Sequence, residues 1–82
     1  MIPYAIRYTR DATAAIYQIR RGAAGELTLA IKTLSIEPKP YYSFETDIPN
    51  TYAFKMLDTL VTYQILHDER VVKILLIETD VR

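Results

Sequence analysis

Residues 52–78 read YAFKMLDTLVTYQILHDERVVKILLIE and contain three short runs rich in β-branched and aromatic residues. The runs are Tyr52–Leu57, Thr59–Leu66 and Val71–Glu78. Asp58 separates the first two runs and the polar group 67–70 separates the last two, which predicts two reversals and an antiparallel meander. The third run is almost wholly apolar, as expected of a central strand that is covered on part of both faces.

The N-terminal part of the chain predicts one strand and two helices. Tyr4–Thr9 alternates its side chains with a period of two, which is typical of a half-buried strand. From Asp11 onward apolar residues recur at three- and four-residue spacing, and either Thr9 or Asp11 can serve as the N-cap. Gly22, after two arginines, is expected to end this helix, and Ala23–Leu34 is expected to form a second one that stops before the prolines.

The predicted order is therefore β-α-α-β-β-β, an α+β fold. Parallel strands need a crossover, and the helical hairpin supplies one, so the first strand can lie beside a later strand. Both helices then pack on one face of an antiparallel-dominated sheet. The segment Lys39–Asn50 is interpreted as a long connection with a short extended piece at Ser43–Thr46.

The composition describes one compact domain over residues 1–82. The chain is 50% hydrophobic and 24% charged, unlike disordered chains, which lack this much apolar material. A domain of this size buries only about 60% of the surface that its unfolded chain exposes. We therefore expect marginal stability and a partner that covers apolar surface.

The same composition disfavours several classes of function. With no cysteine, one histidine (His67) and two glycines, the chain predicts no disulfide, catalytic triad, phosphate loop, metal site or cofactor. No apolar run approaches the length of a membrane span, so we expect a cytoplasmic protein without a membrane partner. A formal net charge of zero argues against strong non-specific binding to nucleic acid. Arg7, Arg10 and the pair at 20–21 form either a local basic patch or a solvated helix end.

Over nearly its whole length the chain resembles the RelE/ParE superfamily of bacterial and archaeal type II toxins. The shared theme is a tyrosine-led strand, a strand that closes on a tyrosine, an acidic turn and a valine-rich strand, after an N-terminal strand and a helical hairpin. The matching segments are YAIRY at 4–8, AAGEL at 23–27, AIKTL at 30–34, EP at 37–38, YAFKML at 52–57, LVTYQI at 60–65 and ERVVKIL at 69–75.

The resemblance implies a growth-inhibiting toxin that is neutralised by a cognate antitoxin. Its implied target is either translation, through ribosome-dependent cleavage of mRNA as an mRNA interferase, or DNA gyrase. The family's nucleases use clustered lysines and arginines, which suits a reaction catalysed by positioning and by cations aimed at the scissile phosphate. Carried onto this chain, the resemblance gives Lys55 and Arg82 as the catalytic residues and implies no cofactor.

This sequence departs from the family at several of those positions. Ala53 and Leu60 stand where a basic residue is common, and 78–80 (Glu-Thr-Asp) occupies a usually basic segment. Lys55 and Arg82 alone predict weak binding to RNA, because affinity grows with the number of phosphates neutralised. Lys55 also fits a solvent-facing strand lysine. Enzymatic activity is therefore left open.

The sequence leaves three hypotheses. The first is a toxin whose apolar groove, between the helical hairpin and the sheet, is wrapped by a mostly helical antitoxin segment. The second is an inactive toxin-fold module that binds a partner protein or forms a homo-oligomer, and the third is a small nucleic-acid-binding domain. Tyr41 and Tyr42 either fold back over the sheet or contact another chain, and the nearby acids Glu45 and Asp47 favour a protein partner.

Overall fold

The computed structural model describes residues 2–19 and 21–79, apart from the side chains at 21 and 22. Its elements are β1 (Ala5–Tyr8), α1 (Arg10–Gln18), α2 (Arg21–Thr33), β2 (Ser43–Glu45), β3 (Thr51–Met56), β4 (Thr59–Leu66) and β5 (Val71–Glu78). The predicted α+β class and element order are confirmed, and the extended piece in the long connection is the additional strand β2. None of the described helices has the length and apolar character that crossing a membrane requires.

The described strands form one sheet in the order β1-β5-β4-β3-β2. β3, β4 and β5 form the predicted antiparallel meander, β2 pairs with β3 in the antiparallel sense, and β1 runs parallel to β5. The parallel pair exists because α1 and α2 provide the crossover that returns the chain to the far edge of the sheet. The sheet is therefore antiparallel-dominated, as predicted.

The hydrophobic core lies between the two helices and one face of the sheet. Leu27 and Ile31 of α2 and Ala12 of α1 are buried in one cluster with the inward-facing strand residues. Among the latter, Phe54 and Tyr63 have the largest side chains. Both helices thus cover the same face, which we call the covered face, and the opposite face of the sheet is the open face.

Thr9 joins the start of α1 to the central strand. Its hydroxyl oxygen accepts a hydrogen bond from the Ala12 backbone N–H (3.1 Å), which confirms Thr9 as the N-cap. The same hydroxyl donates to the Leu75 carbonyl oxygen (2.8 Å). The β4–β5 pairing shifts register at this point, since Thr62 pairs with Leu76 and Tyr63 with Ile74. Thr9 therefore satisfies a carbonyl at a β-bulge and fixes α1 against β5.

Several predicted boundaries are off by one or two residues, and for two of them the structure shows the physical reason. Gly22 does not end the first helix but lies inside α2, and the break falls at Ile19, whose backbone is extended (φ −83°, ψ 146°). Ile19 packs against the core. The break between the helices therefore falls at Ile19 and not at Gly22. Leu57 lies beyond the end of β3, because the two-residue hairpin turn needs a positive φ, here 57°.

The long connection after α2 is fastened to the sheet at its start. The Tyr63 hydroxyl donates a hydrogen bond to the Pro38 carbonyl oxygen (2.7 Å). The Lys39 ammonium lies 5.2 Å from the centre of the Tyr52 ring, and the Ser43 hydroxyl donates to the Pro40 carbonyl oxygen (2.7 Å). These contacts bring the connection back to the sheet edge, where it forms β2.

Tyr63→Phe tests that attachment. Losing the hydrogen bond to the part-buried Pro38 carbonyl should cost about 1 kcal/mol, which lowers the thermal midpoint by about 4–8 °C for a domain of this size. Tyr17→Phe, at an exposed position on α1, is the matched control and should not shift the midpoint. Equal midpoints for the wild type and the Tyr63→Phe variant near neutral pH would contradict the assignment.

The same hydroxyl gives the stability a pH dependence. Burial raises the pKa of Tyr63 above its ordinary value of 10.0, because it penalises the phenolate. The unfolded chain therefore releases this proton near pH 10.0 while the folded chain retains it, and the stability of the wild type falls as the pH rises through that value. Thermal melts below and above pH 10.0 measure this effect. The thermal midpoint of Tyr63→Phe should fall less at the higher pH than that of the wild type.

Candidate functional site

The predicted site residue Lys55 belongs to a row of side chains that crosses the open face. Lys55 of β3 pairs with Leu60 of β4, and Leu60 pairs with Glu78 of β5. Paired residues point to the same side of a sheet, so all three project from the open face. Lys55 and Glu78 are exposed and Leu60 is half-buried. We call these three residues the Lys55 row.

Ala53 lies on the same face, one row away. It pairs with Thr62 of β4 and with Phe44 of β2. Its side chain is buried although neither of the described helices covers this side of the sheet. Positions 53, 60 and 78, where the resemblance implies basic residues, therefore surround Lys55. The tertiary structure brings these positions together, and this chain fills them with alanine, leucine and glutamate.

The Lys55 row is poorly suited to phosphoryl transfer. That chemistry depends on several cations aimed at the charge that develops on the phosphate. The row instead has one cation, Lys55, and one acid, Glu78. The backbones of these two residues are about 10 Å apart, because their strands are separated by one other strand. Glu78 repels a phosphate that Lys55 attracts, so the row gives little net attraction.

The second predicted catalytic residue, Arg82, lies outside the described residues, as does Asp80 of the terminal acidic segment. Its role beside Lys55 stays a prediction. Glu78 is the last residue of β5 and points to the open face, so this acid at least belongs to the candidate site.

His67 takes part in a structural contact at the other end of β4. The Tyr4 hydroxyl is 3.3 Å from its Nδ1, and the Arg70 guanidinium lies 4.6 Å from the centre of the Tyr4 ring. Arg70 also donates to the Ile2 carbonyl oxygen. These contacts tie the start of the chain to the β4–β5 turn. No group of three potential metal ligands occurs among the described residues.

Sequence reasoning missed a second row on the open face. Arg7 of β1 pairs with Lys73 of β5, and Lys73 pairs with Gln64 of β4. Arg7 and Lys73 are both exposed. Arg7 projects from the open face and Arg10 begins α1 on the covered face, so these two members of the predicted basic patch lie on different sides of the sheet. Arg20 and the side chain of Arg21 lie outside the described residues. The alternation in each strand shows which of its side chains are polar. It does not show the parallel register, which pairs these two cations.

Two apolar grooves flank α2 on the covered face. The helix turns Thr28 and Lys32 to one flank and Ala30 to the other, as the 3.6-residue period requires. The β1-side groove is lined by Ile6, Tyr8, Ile16, Tyr17, Thr28 and Lys32. The β3-side groove is lined by Ala30, Tyr41, Tyr42, Phe54 and Met56. Lys55, on the part of β3 that β2 does not pair with, adds to its rim although it projects from the open face. The predicted apolar groove between the helical hairpin and the sheet is therefore present on both sides of α2.

Tyr41 and Tyr42 were each expected either to fold back over the sheet or to contact another chain. Tyr42 folds back over the sheet, where its ring meets Phe54 edge to face with centroids 5.6 Å apart. Tyr41 contacts the Tyr42 ring at 5.4 Å but is 97% exposed. An aromatic ring so exposed at the rim of a groove is available to another chain.

Comparisons with known proteins identify the fold. No protein-family model and no curated protein matches the sequence. Among solved structures, the chain is similar to the archaeal RelE-RelB complex from Pyrococcus horikoshii OT3 (TM-score 0.86, 18% identity, 100% of this chain and 99% of that chain). It is also similar to the intact E. coli RelBE toxin-antitoxin complex (0.85, 15%, 96% and 99%). A third similar structure is the RelBE2 complex from Mycobacterium tuberculosis (0.80, 18%, 95% and 99%).

These likenesses extend over nearly the full length of both chains. At such low identity they establish the fold, which is that of RelE toxins, and they confirm the predicted resemblance at that level. The described element order agrees with it.

Proposed function

We propose that this chain is the toxin component of a type II toxin-antitoxin pair and that a cognate antitoxin neutralises it. The observation that carries the proposal is the pair of apolar grooves beside α2 in a chain with the RelE fold. Structures similar to this chain include complexes of RelE with the antitoxin RelB. A partner segment laid in these grooves removes apolar surface from water, which a small domain needs. A cytoplasmic location stays a prediction.

The proposed mode of inhibition is binding to a target rather than RNA cleavage at Lys55. The resemblance offers translation and DNA gyrase as targets, and the near-neutral Lys55 row supports a mode that needs no phosphoryl transfer. On this proposal Lys55→Ala and Arg82→Ala leave growth arrest unchanged. Loss of arrest in either variant, with the protein still folded, would restore the ribosome-dependent nuclease.

Induced expression of the lone chain in a bacterial host tests the proposal. Growth and the 5′ ends of cellular mRNA are followed together. Growth arrest without new codon-linked 5′ ends is the expected result, and co-expression of the neighbouring short open reading frame should relieve it. Codon-linked cleavage would contradict the proposed mode while leaving the toxin assignment intact.

A second candidate function is a catalytically inactive interaction module. The replacement of basic residues by Leu60 and Glu78 in the Lys55 row favours it, since such a face has lost the family's chemistry. This candidate predicts no growth arrest and either a complex with a partner protein or a discrete homo-oligomer formed through an edge strand. Growth curves and light scattering of the purified chain distinguish it from the toxin.

Single charges placed in the grooves test the antitoxin surface. Tyr17→Glu and Tyr41→Glu each put a carboxylate at an exposed position of one groove, so they should not change the thermal midpoint. Each should weaken binding of the co-expressed antitoxin at least about tenfold, because aromatic anchors dominate such interfaces. Calorimetric titration of the purified pair measures the change.

Ile48→Glu provides the matched control for these variants. Ile48 is also an exposed apolar residue, but it lies in the β2–β3 turn outside both grooves. It should leave the affinity unchanged. If all three variants bind equally well, the grooves are not the antitoxin surface. If Ile48→Glu alone weakens binding, the surface lies at the β2–β3 turn.

A further inference from the structure

The open face of the sheet has an apolar row at its middle. The row crosses four strands, because its members pair in turn from β5 to β2, and they are Leu76, Thr62, Ala53 and Phe44. We call it the middle row. Leu76 and Phe44 are 41% and 51% exposed, and neither of the described helices covers them. Exposed apolar residues in a continuous patch with a polar rim are typical of a surface that contacts another protein.

Opposite charges lie on the two sides of the middle row, at equal distances from it. On β4, Gln64 and Leu60 are each two residues from Thr62, about 6.6 Å along the strand. Lys73 of β5 pairs with Gln64, and Glu78 of β5 pairs with Leu60. The register shift in this pair of strands sets three residue steps of β5 against two of β4 on the Lys73 side. Lys73 and Glu78 are therefore equally far from the middle row.

We propose that two copies of this chain pair through their open faces about a twofold axis that runs across the strands, along the middle row. Such an axis turns one face onto the other, so each strand lies over its own counterpart in the antiparallel sense and the two middle rows meet. Lys73 then faces Glu78 of the second copy, and Glu78 faces Lys73 of the second copy. A twofold interface must be self-complementary in this way, and the equal spacing on β5 provides it.

The second copy also supplies an acid to Arg7 and Lys73. These two cations are direct partners on β1 and β5, about 4.8 Å apart by strand spacing, and like charges so placed destabilise a sheet. The nearest acids along β5 and the turn before it are four and five residues from Lys73, roughly 13 Å away. In the dimer, Glu78 of the second copy lies opposite this pair. Equivalent cations of the two copies are about 13 Å apart, beyond the screening length of about 8 Å at physiological salt.

The area of the face predicts a weak dimer. The five strands span about 24 Å across the sheet, and β4 and β5, of 8 residues each, run about 26 Å. Because the other strands are shorter, roughly 500 Å² of each copy is covered, or about 1,000 Å² in total. This area lies at the low end for a specific interface, where pairing is transient. A dissociation constant on the order of 10–100 μM is therefore expected.

This interface is separate from the proposed antitoxin surface and from a dimer formed through an edge strand. The grooves beside α2 lie on the covered face, and the outer edges of β1 and β2 take no part in the pairing. The dimer covers the Lys55 row, so self-association hides the candidate site. Failure of this assignment would leave the growth-arrest and antitoxin results unchanged, so it is tested separately from the proposed function.

The test is sedimentation equilibrium of the purified full chain at concentrations below and above the expected dissociation constant. The wild type should form a discrete dimer. Glu78→Lys and Lys73→Glu each place like charges opposite each other at both ends of the interface, so each should weaken self-association at least about tenfold. An equal mixture of the two variants should restore the dimer, because each substituted face then meets one of opposite charge. A loss of folding in either variant could not give this rescue.

Glu26→Lys is the matched control. It makes the same change of charge as Glu78→Lys, but at an exposed position of α2, and should leave the dissociation constant unchanged. The proposal is overturned if the wild type stays monomeric over the whole concentration range. It is also overturned if Glu78→Lys dimerises as well as the wild type, which would place the interface at an edge strand, or if the mixture of variants does not restore the dimer.

Discussion

Phe54→Ala should lower the thermal midpoint by at least about 12 °C, or leave the chain unfolded at room temperature. Truncating a buried phenylalanine typically costs about 3–5 kcal/mol. A domain of this size has about 4–12 kcal/mol of stability in total, and each kcal/mol shifts the midpoint by about 4–8 °C. The predicted loss is therefore a large part of what holds the fold together.

The position of Phe54 explains the size of this effect. Its side chain is 1% exposed and packs between Tyr42 and Tyr63, with ring centroids 5.6 Å and 6.2 Å away. These rings join the long connection and the meander, so the cavity left by alanine would open at the point where two parts of the fold meet. The Tyr63 ring is held in place by its hydrogen bond to Pro38, so a shift of this ring into the space would strain that bond.

Phe44→Ala is the matched control for this prediction. Phe44 is the same residue type on the adjacent strand, but it is 51% exposed on the open face. It should change the midpoint by less than about 5 °C, in keeping with a surface substitution. Thermal melts of the two variants followed by circular dichroism decide the matter. Similar losses for both would show that Phe54 is not the core residue described here.

Leu60→Arg combined with Glu78→Arg should increase the affinity of the open face for single-stranded RNA at least about tenfold at low salt. The two substitutions change the formal charge of the Lys55 row from zero to plus three, since a neutral side chain and an acid both become cationic. Two added phosphate contacts should steepen the salt slope by about 1.4. Fluorescence anisotropy of a labelled single-stranded RNA, titrated with the purified chain at several salt concentrations, measures both quantities.

A variant of equal charge isolates the effect of position. Glu26→Arg with Leu29→Arg adds the same three charges at exposed positions of α2, away from the open face. It should raise the affinity by only about twofold through long-range attraction. An equal gain from both variants would mean that net charge alone governs binding and that the Lys55 row has no special geometry.

Local sequence patterns predicted most of the fold. The alternation in Tyr4–Thr9, the three strand-like runs and the helical spacing from Asp11 each depend on near neighbours in the chain, and the structure confirms them. The errors at Gly22 and Leu57 arose where a distant contact or a turn geometry outweighed local preference. Ile19 packs into a core formed by other elements, and no local signal reports that contact.

The candidate site was only partly visible for the same reason. Lys55 was identified from its strand and from the family resemblance, and the sequence located Leu60 and Glu78 only as separate departures from that family. The strand registers place them in one row. The sequence did not predict that Arg7 and Lys73 are neighbours, because they lie in the first and last strands.

The sequence by itself therefore determined which segments become helices and strands and which side of each strand is apolar, because these depend on residues a few positions apart. Only the tertiary structure decided which side chains meet across the open face. The crossover helices return the chain so that β1 lies parallel to β5, and Thr9 joins the end of β1 to the bulge in β5. That register places Arg7 beside Lys73 on the open face, although the two residues are 66 positions apart in the chain.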